Sequence, residues 1–188
     1  MKRLILRAAL WCLLLAAPLV HAAPADKARS ADQVAPVLLW LTSDITTASR
    51  TAMVQRLATE AGLGFAHIDY PLGGPAVLDA AQSQTLQRAL AGAALVWVDA
   101  PHASVEARLR RMVGAQLDER AARTPGRVVW VPAGAPATDL TTLDTSARMV
   151  AYLQAGGLRN LKSAMALAHA TVAGVPMPAV PAPEILPA

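Results

Sequence analysis

Thiols are all but missing from this 188-residue chain. Its one cysteine, Cys12, lies in an apolar run near the N-terminus, so no internal disulfide can form. Beyond that run the chain has no cysteine nucleophile and no cysteine-ligated metal site. Aromatic residues are equally scarce at 4%. They never interleave with a basic stripe, so the pattern of a nucleic-acid surface is absent. The formal charge of +4 is also less than it looks. Three of the 17 cations, Lys2, Arg3 and Arg7, precede the apolar run, which leaves 14 against 13 acidic groups and a net charge of +1. Several catalytic signatures are missing as well. The chain contains no GxGxxG, no GxxxxGK[ST], no GxSxG and no HExxH, which argues against a nucleotide enzyme, a serine hydrolase or a zincin. Gly73-Gly74 in PLGGP is followed by neither Lys nor Ser/Thr and reads as a turn.

What is present begins with export. Lys2, Arg3 and Arg7 form a positive start, residues 8–20 an apolar stretch, and Val20-His21-Ala22 places small residues at −3 and −1. This is the pattern of a signal peptide over residues 1–22, cleaved after Ala22, and it implies a periplasmic protein. The apolar stretch is too short for a comfortable membrane span. The expected membrane contact is therefore through the signal peptide alone. Residues 23–35 are polar and alanine-rich and read as a tether.

A folded block follows. VLLWLT (37–42), GFAHIDY (64–70), ALVWVDA (94–100) and RVVWVPAG (127–134) are short apolar runs of strand length. Between them lie helical segments: residues 46–62 with Ser43 or Asp44 as cap, Val77 to Ala91, and residues 104–123. Strands that alternate with helices, and that lack a period of two, indicate a parallel sheet covered on both faces. The expectation is an α/β domain over residues 36–135, a small doubly wound sheet of about four strands, flavodoxin- or Rossmann-like. From Asp139 the pattern becomes helical. Leu143, Ala147, Val150 and Leu153 recur at helix spacing, and Leu158, Leu161, Met165, Ala168 and Val172 repeat it. Residues 139–174 therefore read as a helix–Gly-Gly–helix element that follows the sheet, a C-terminal helical pair. Residues 175–188 carry five prolines and read as an extended tail without a core of its own.

Two candidate sites emerge. Asp44, Asp69, Asp99 and His102 fall at the C-terminal strand ends, where open α/β sheets bind ligands. Converging there, they could bind a divalent cation; as N-caps they would be structural. Trp40, Trp97 and Trp130 occupy similar settings in three strands and could line one sheet face as a platform for a flat ligand, or fill space beneath helices.

The stretch AYLQAGGLRNL (151–161) carries a resemblance. Tyr152, Gly156, Gly157, Asn160 and Leu161 match the pattern Tyr-Leu-x-x-Gly-Gly-x-x-Asn-Leu, and LVWVDAP (95–101) is similar to the third strand of the same family. The chain resembles the N-terminal region of the cobaltochelatase large subunit, a relative of the magnesium chelatase large subunit. That family inserts cobalt into a corrin ring using ATP hydrolysed on separate subunits. The resemblance implies cobalt and a corrin or porphyrin macrocycle as the full-length family's substrates. It implies the remainder of a chelatase body, or its partner subunits, as partners. The matching positions are structural in the family, so no catalytic, cofactor or metal-binding residue is carried over. The family continues with a Gly-(Ile/Leu)-Tyr-His-Pro segment where this chain stops at Ala188. The expectation is thus a truncated, exported, non-catalytic N-terminal segment, inactive as a chelatase by itself. A free-standing periplasmic α/β binding or interaction module is the alternative, and an enzyme acting at the strand ends ranks third. Export predicts Ala23 as the mature N-terminus by N-terminal sequencing; an intact Met1 in membrane fractions would overturn it.

Overall fold

The computed structural model describes residues 35–185; the expected signal peptide and all but the last residue of the tether lie outside them. Four strands form one parallel sheet in the order β2-β1-β3-β4: β1 (Val37–Thr42), β2 (Gly64–Asp69), β3 (Ala93–Asp99) and β4 (Val128–Val131). Three helices connect them: α1 (Ala48–Glu60), α2 (Ala80–Gly92) and α3 (Ala103–Arg123). Two more follow, α4 (Thr145–Ala155) and α5 (Gly157–Ala173).

The chain steps from β1 outward to β2, then back across β1 to β3 and on to β4. The first crossover helix, α1, packs on one face of the sheet, and α2 and α3 on the other. Opposite steps with helices on opposite faces are what a single crossover handedness requires. The expected doubly wound α/β sheet is the observed one.

Each sheet face has its own core. Leu38, Trp40, Leu95, Trp97, Val129 and Val131 point toward α1, α4 and α5. Leu39, Leu41, Val96 and Val98 point toward α2 and α3. Apolar residues on both faces explain why β1 and β3 read as unbroken hydrophobic runs. The expected C-terminal helical pair is α4 and α5, and it shares a core with the sheet. Met149, Tyr152 and Leu153 of α4 and Leu161, Met165 and Ala168 of α5 belong to the same core as β1 and β3, and residues from 35 onward form one unit.

Helix starts differ from expectation where capping chemistry was misassigned. Thr47 caps α1, accepting from Arg50 N at 3.3 Å. Ser43 instead sits in a turn, and Asp44 Oδ1 accepts from Leu72 N at 3.1 Å. Helix α2 begins at Ala80 rather than Val77, because Asp79 and Gln82 form a reciprocal capping box at 2.7 and 3.0 Å. Asp144 caps α4, accepting from Ala147 N at 2.8 Å. The buried stripes also rotate. In α4 it centres on Met149, Tyr152 and Leu153. In α5 Leu158 is exposed, while Asn160 and Ser163 are buried.

Between α4 and α5 both glycines hold positive φ. Gly156 stands at φ +64°, ψ −165°, a region that only glycine occupies readily, rather than the left-handed helical conformation expected of a C-cap. No atom outside the local chain approaches a Cβ built there, so a substitution meets backbone strain alone. Gly156→Ala should destabilise the protein by about 1–3 kcal/mol in chemical denaturation. Gly92→Ala, at the end of α2 with open space and no positive φ, should cost nothing and gain up to about 1 kcal/mol. Equal effects of the two substitutions would refute this account of the corner.

Candidate functional site

The C-terminal strand ends do not assemble one crevice from the four predicted residues. Asp99 is buried at the end of β3, its side chain 4% exposed. Arg50, in the first turn of α1, approaches it with Nε 3.3 Å from Oδ2 and Nη2 3.5 Å from Oδ1. The Nε contact lacks hydrogen-bond alignment, so this is an ion pair with one weak, directed bond. Thr46 Oγ1 donates to Asp99 Oδ2 at 3.3 Å, and Arg50 Nη2 also donates to the Leu153 carbonyl of α4 at 3.3 Å. Burial pushes the Asp99 carboxyl above its ordinary value, with Arg50 and Thr46 opposing the shift.

Asp69 engages different partners. The buried Thr42 hydroxyl donates to Asp69 Oδ1 at 2.9 Å and lies 2.7 Å from His67 Nε2. A hydroxyl has one proton to give, so His67 Nε2–H donates to it in turn. The hydroxyl therefore sits between imidazole and carboxylate. In a hydrolytic triad the imidazole sits between the other two and takes the hydroxyl proton; this line of groups does not activate Thr42. Asp44 holds the Leu72 amide, and His102 stands exposed at the start of α3 without a capping bond. Among the described residues, no three His, Cys, Asp or Glu side chains converge as a group able to hold a metal ion.

The tryptophans divide between the faces. Trp40 and Trp97 are paired in register on β1 and β3 and buried in the core beneath α1, α4 and α5. Trp130 pairs with Val98 and faces the other way, with Arg110 stacked over its ring at 4.3 Å. No three-tryptophan platform exists, and the two that share a face are covered. The PLGGP loop is a turn, as expected, gathered by one guanidinium. Arg108 Nη2 donates to the carbonyls of Pro71, Gly74 and Pro75 at 3.1, 2.5 and 2.9 Å. Inward carbonyls are the reverse of a phosphate cradle, which presents N–H groups.

Tyr152 and Asn160, on either side of the glycine pair, both contact the proline-rich tail. Helix α5 ends at Gly174 in the left-handed conformation. Residues 175–185 then run without secondary structure of their own. Tyr152, fully buried in α4, donates its hydroxyl to the Pro181 carbonyl. Burial holds that phenol above its ordinary value, so it remains a donor. Asn160, 3% exposed, donates through Nδ2 to the Gly156 and Glu184 carbonyls, both at 2.7 Å, and accepts the Glu184 N–H on Oδ1 at 2.9 Å. Gly156, Gly157 and Leu161 shape the corner that presents Asn160. The tail was expected to have no core of its own; it is tied to both helices by these bonds.

Sequence reasoning missed Arg50, Thr42 and His67. Arg50 precedes the buried Val54 and Leu57 by four and seven residues. That spacing places it on the inner face of α1, a signal available in the sequence. Comparison with protein-family models, with curated proteins and with solved structures finds no match to this chain.

Asp99 binds its proton more tightly folded than unfolded. Its contribution to stability is complete below the ordinary carboxylate range and is lost as pH rises through the raised value. Arg50→Met removes the opposing cation and raises that value further. The variant should lose on the order of 3 kcal/mol at pH 7, as when one partner of a buried pair is removed. The deficit should shrink at pH 4, where Asp99 takes up a proton. Denaturant titrations giving the same deficit at both pH values would contradict this.

Proposed function

We propose that this chain is a non-catalytic segment of a cobaltochelatase-like protein that handles tetrapyrroles or their metal outside the cytoplasm. One observation carries the reading: Tyr152 and Asn160, two of the motif positions, bond to the proline-rich segment. In the family that the motif resembles, the corresponding segment links to the next domain. A motif that grips such a link has a mechanical role, fixing the position and direction of the chain beyond it. Its residues belong together for that reason and need no chemistry of their own.

The rest of the molecule is in keeping with a non-catalytic role. A chelatase must enclose a macrocycle, strip water from the metal and accept the displaced pyrrole protons. Here Trp40 and Trp97 are covered by helices. Asp99 is committed to Arg50 and Asp69 to Thr42.

The test uses the purified protein with cobalt, a metal-free corrin as substrate, and the body of a cobaltochelatase large subunit that begins at its Gly-(Ile/Leu)-Tyr-His-Pro segment. Alone, the protein should insert no cobalt, and its tryptophan emission should not respond to the corrin. With the body added, analytical ultracentrifugation should detect saturable association. Cobalt insertion by the chain alone would overturn the non-catalytic reading, and no association at micromolar concentrations would overturn the family assignment.

A further inference from the structure

The contacts between the tail and the α4–α5 corner have the form of peptide recognition. Asn160 uses one carboxamide to bond both the N–H and the C=O of Glu184. The carboxamide orientation follows from chemistry: an amide N–H must meet Oδ1 and a carbonyl must meet Nδ2. This two-point contact reads main chain, as one rung of a β-ladder does, and is indifferent to the side chain at that position. Tyr152 reads a second main-chain group, the Pro181 carbonyl.

The spacing suits a proline-rich strand. A polyproline-type chain repeats every three residues, so groups at 181 and 184 fall on the same side. Val180 and Pro183, also three apart, are the half-buried positions of this stretch, whereas Pro181, Ala182 and Glu184 are exposed. Prolines at 181 and 183 carry no N–H, and the corner asks for none there. Its demand for a donor falls on residue 184.

The receiving side is built independently of the tail. Tyr152 is held in the core with Leu161, and Asn160 is oriented by its bond to Gly156 within the corner. The tail adds one half-buried residue, Val180, to the edge of that core. The Arg159–Glu184 ion pair, 3.6 Å between two side chains each more than half exposed, lies at the rim and contributes little.

We propose that the α4–α5 corner is a binding site for an extended, proline-rich polypeptide read through its main chain. Residues 180–184 of the same chain are its resident ligand, and the site accepts such a strand in trans when the resident is disabled. The tether from Gly174 to Val180 is short, so the resident acts at an effective concentration in the millimolar range. A free peptide therefore competes poorly with it in the unmodified protein. The inference does not depend on the family reading.

Glu184→Pro in the full chain removes the N–H that Asn160 accepts, at an exposed position outside both cores. A fluorescent peptide of residues 178–188 with the native Glu should bind this variant saturably by anisotropy. It should bind the unmodified protein at least about tenfold more weakly, and a Glu184→Pro, Asn160→Ala double variant about tenfold more weakly, the loss expected for a buried hydrogen-bond pair. Replacing Glu by Gln in the peptide should change affinity less than about threefold, because the ion pair is exposed. In the unmodified protein the Glu184 amide should exchange with solvent about tenfold more slowly than in Asn160→Ala. Should Asn160→Ala fail to fold, Tyr152→Phe, which removes only a hydroxyl, replaces it in both arms. Absence of peptide binding to Glu184→Pro at millimolar concentration, equal binding to all variants, or an unprotected Glu184 amide would each overturn the proposal.

Discussion

A parallel sheet that is apolar on both faces must be covered on both faces, and most of this molecule follows from that requirement. Strands β1 and β3 sit centrally and carry Leu38, Trp40, Leu95 and Trp97 on one side and Leu39, Leu41, Val96 and Val98 on the other. Helices α2 and α3 suffice for the second face. On the first, α1 is the only crossover helix among the described residues, and it is α5 and α4 that lie against β3 and β4. Helices α4 and α5 supply the missing cover. That is why they share a core with the strands and why the sheet cannot be regarded as a domain without them. Burial of side chains the size of Trp97 and Leu95 is worth on the order of 2 kcal/mol each, so exposing that face would remove much of the stability of a domain this small.

The same requirement explains the buried charge. The β1/β3 switch point is where doubly wound sheets usually receive a ligand. Here Asp99 from β3, Thr46 from the β1–α1 connection, Arg50 from α1, and the Leu153 carbonyl from α4 meet there. The pair ties the first crossover helix to the last helical layer across the sheet end. A buried pair of this kind is weak evidence for net stability but costly to break from one side. It makes the switch point a joint between layers, and it removes the two groups best suited to receiving a charged ligand from that role.

Strand number, strand order class and the alternation of elements were legible in the sequence because they depend on hydrophobic runs and breaks. The direction of individual side chains was not, because it depends on register. LVWVD and VVWVP look interchangeable, yet Trp97 pairs with Val129 and Trp130 with Val98. That offset of one residue sends Trp130 to the opposite face, and no feature of either segment alone encodes it. The cap of α1 was not legible for a related reason. Ser43, Asp44 and Thr47 are all competent, and the choice among them depends on whether the Leu72 amide arrives to occupy Asp44. The strand-end carboxylates were correctly placed at the ends of strands, but their partners, Arg50 and Thr42, come from other elements.

The tail shows the limit of composition most clearly. Five prolines in residues 175–188 argue against helix and ladder strand, and residues 175–185 form neither; from that a free linker follows only if the rest of the molecule offers nothing to bind. A proline-rich chain keeps its carbonyls, and each is an acceptor awaiting a donor. Tyr152 and Asn160 are such donors, held by a helix corner whose glycines are required by backbone conformation. Gly156 and Gly157 thus act on the tail indirectly, by setting where Asn160 stands. The spacing from Tyr152 across the glycines to Asn160 is better understood as a description of two donors and the turn that positions them than as a catalytic signature. It predicts an extended acceptor strand nearby, and the proline-rich segment is that strand.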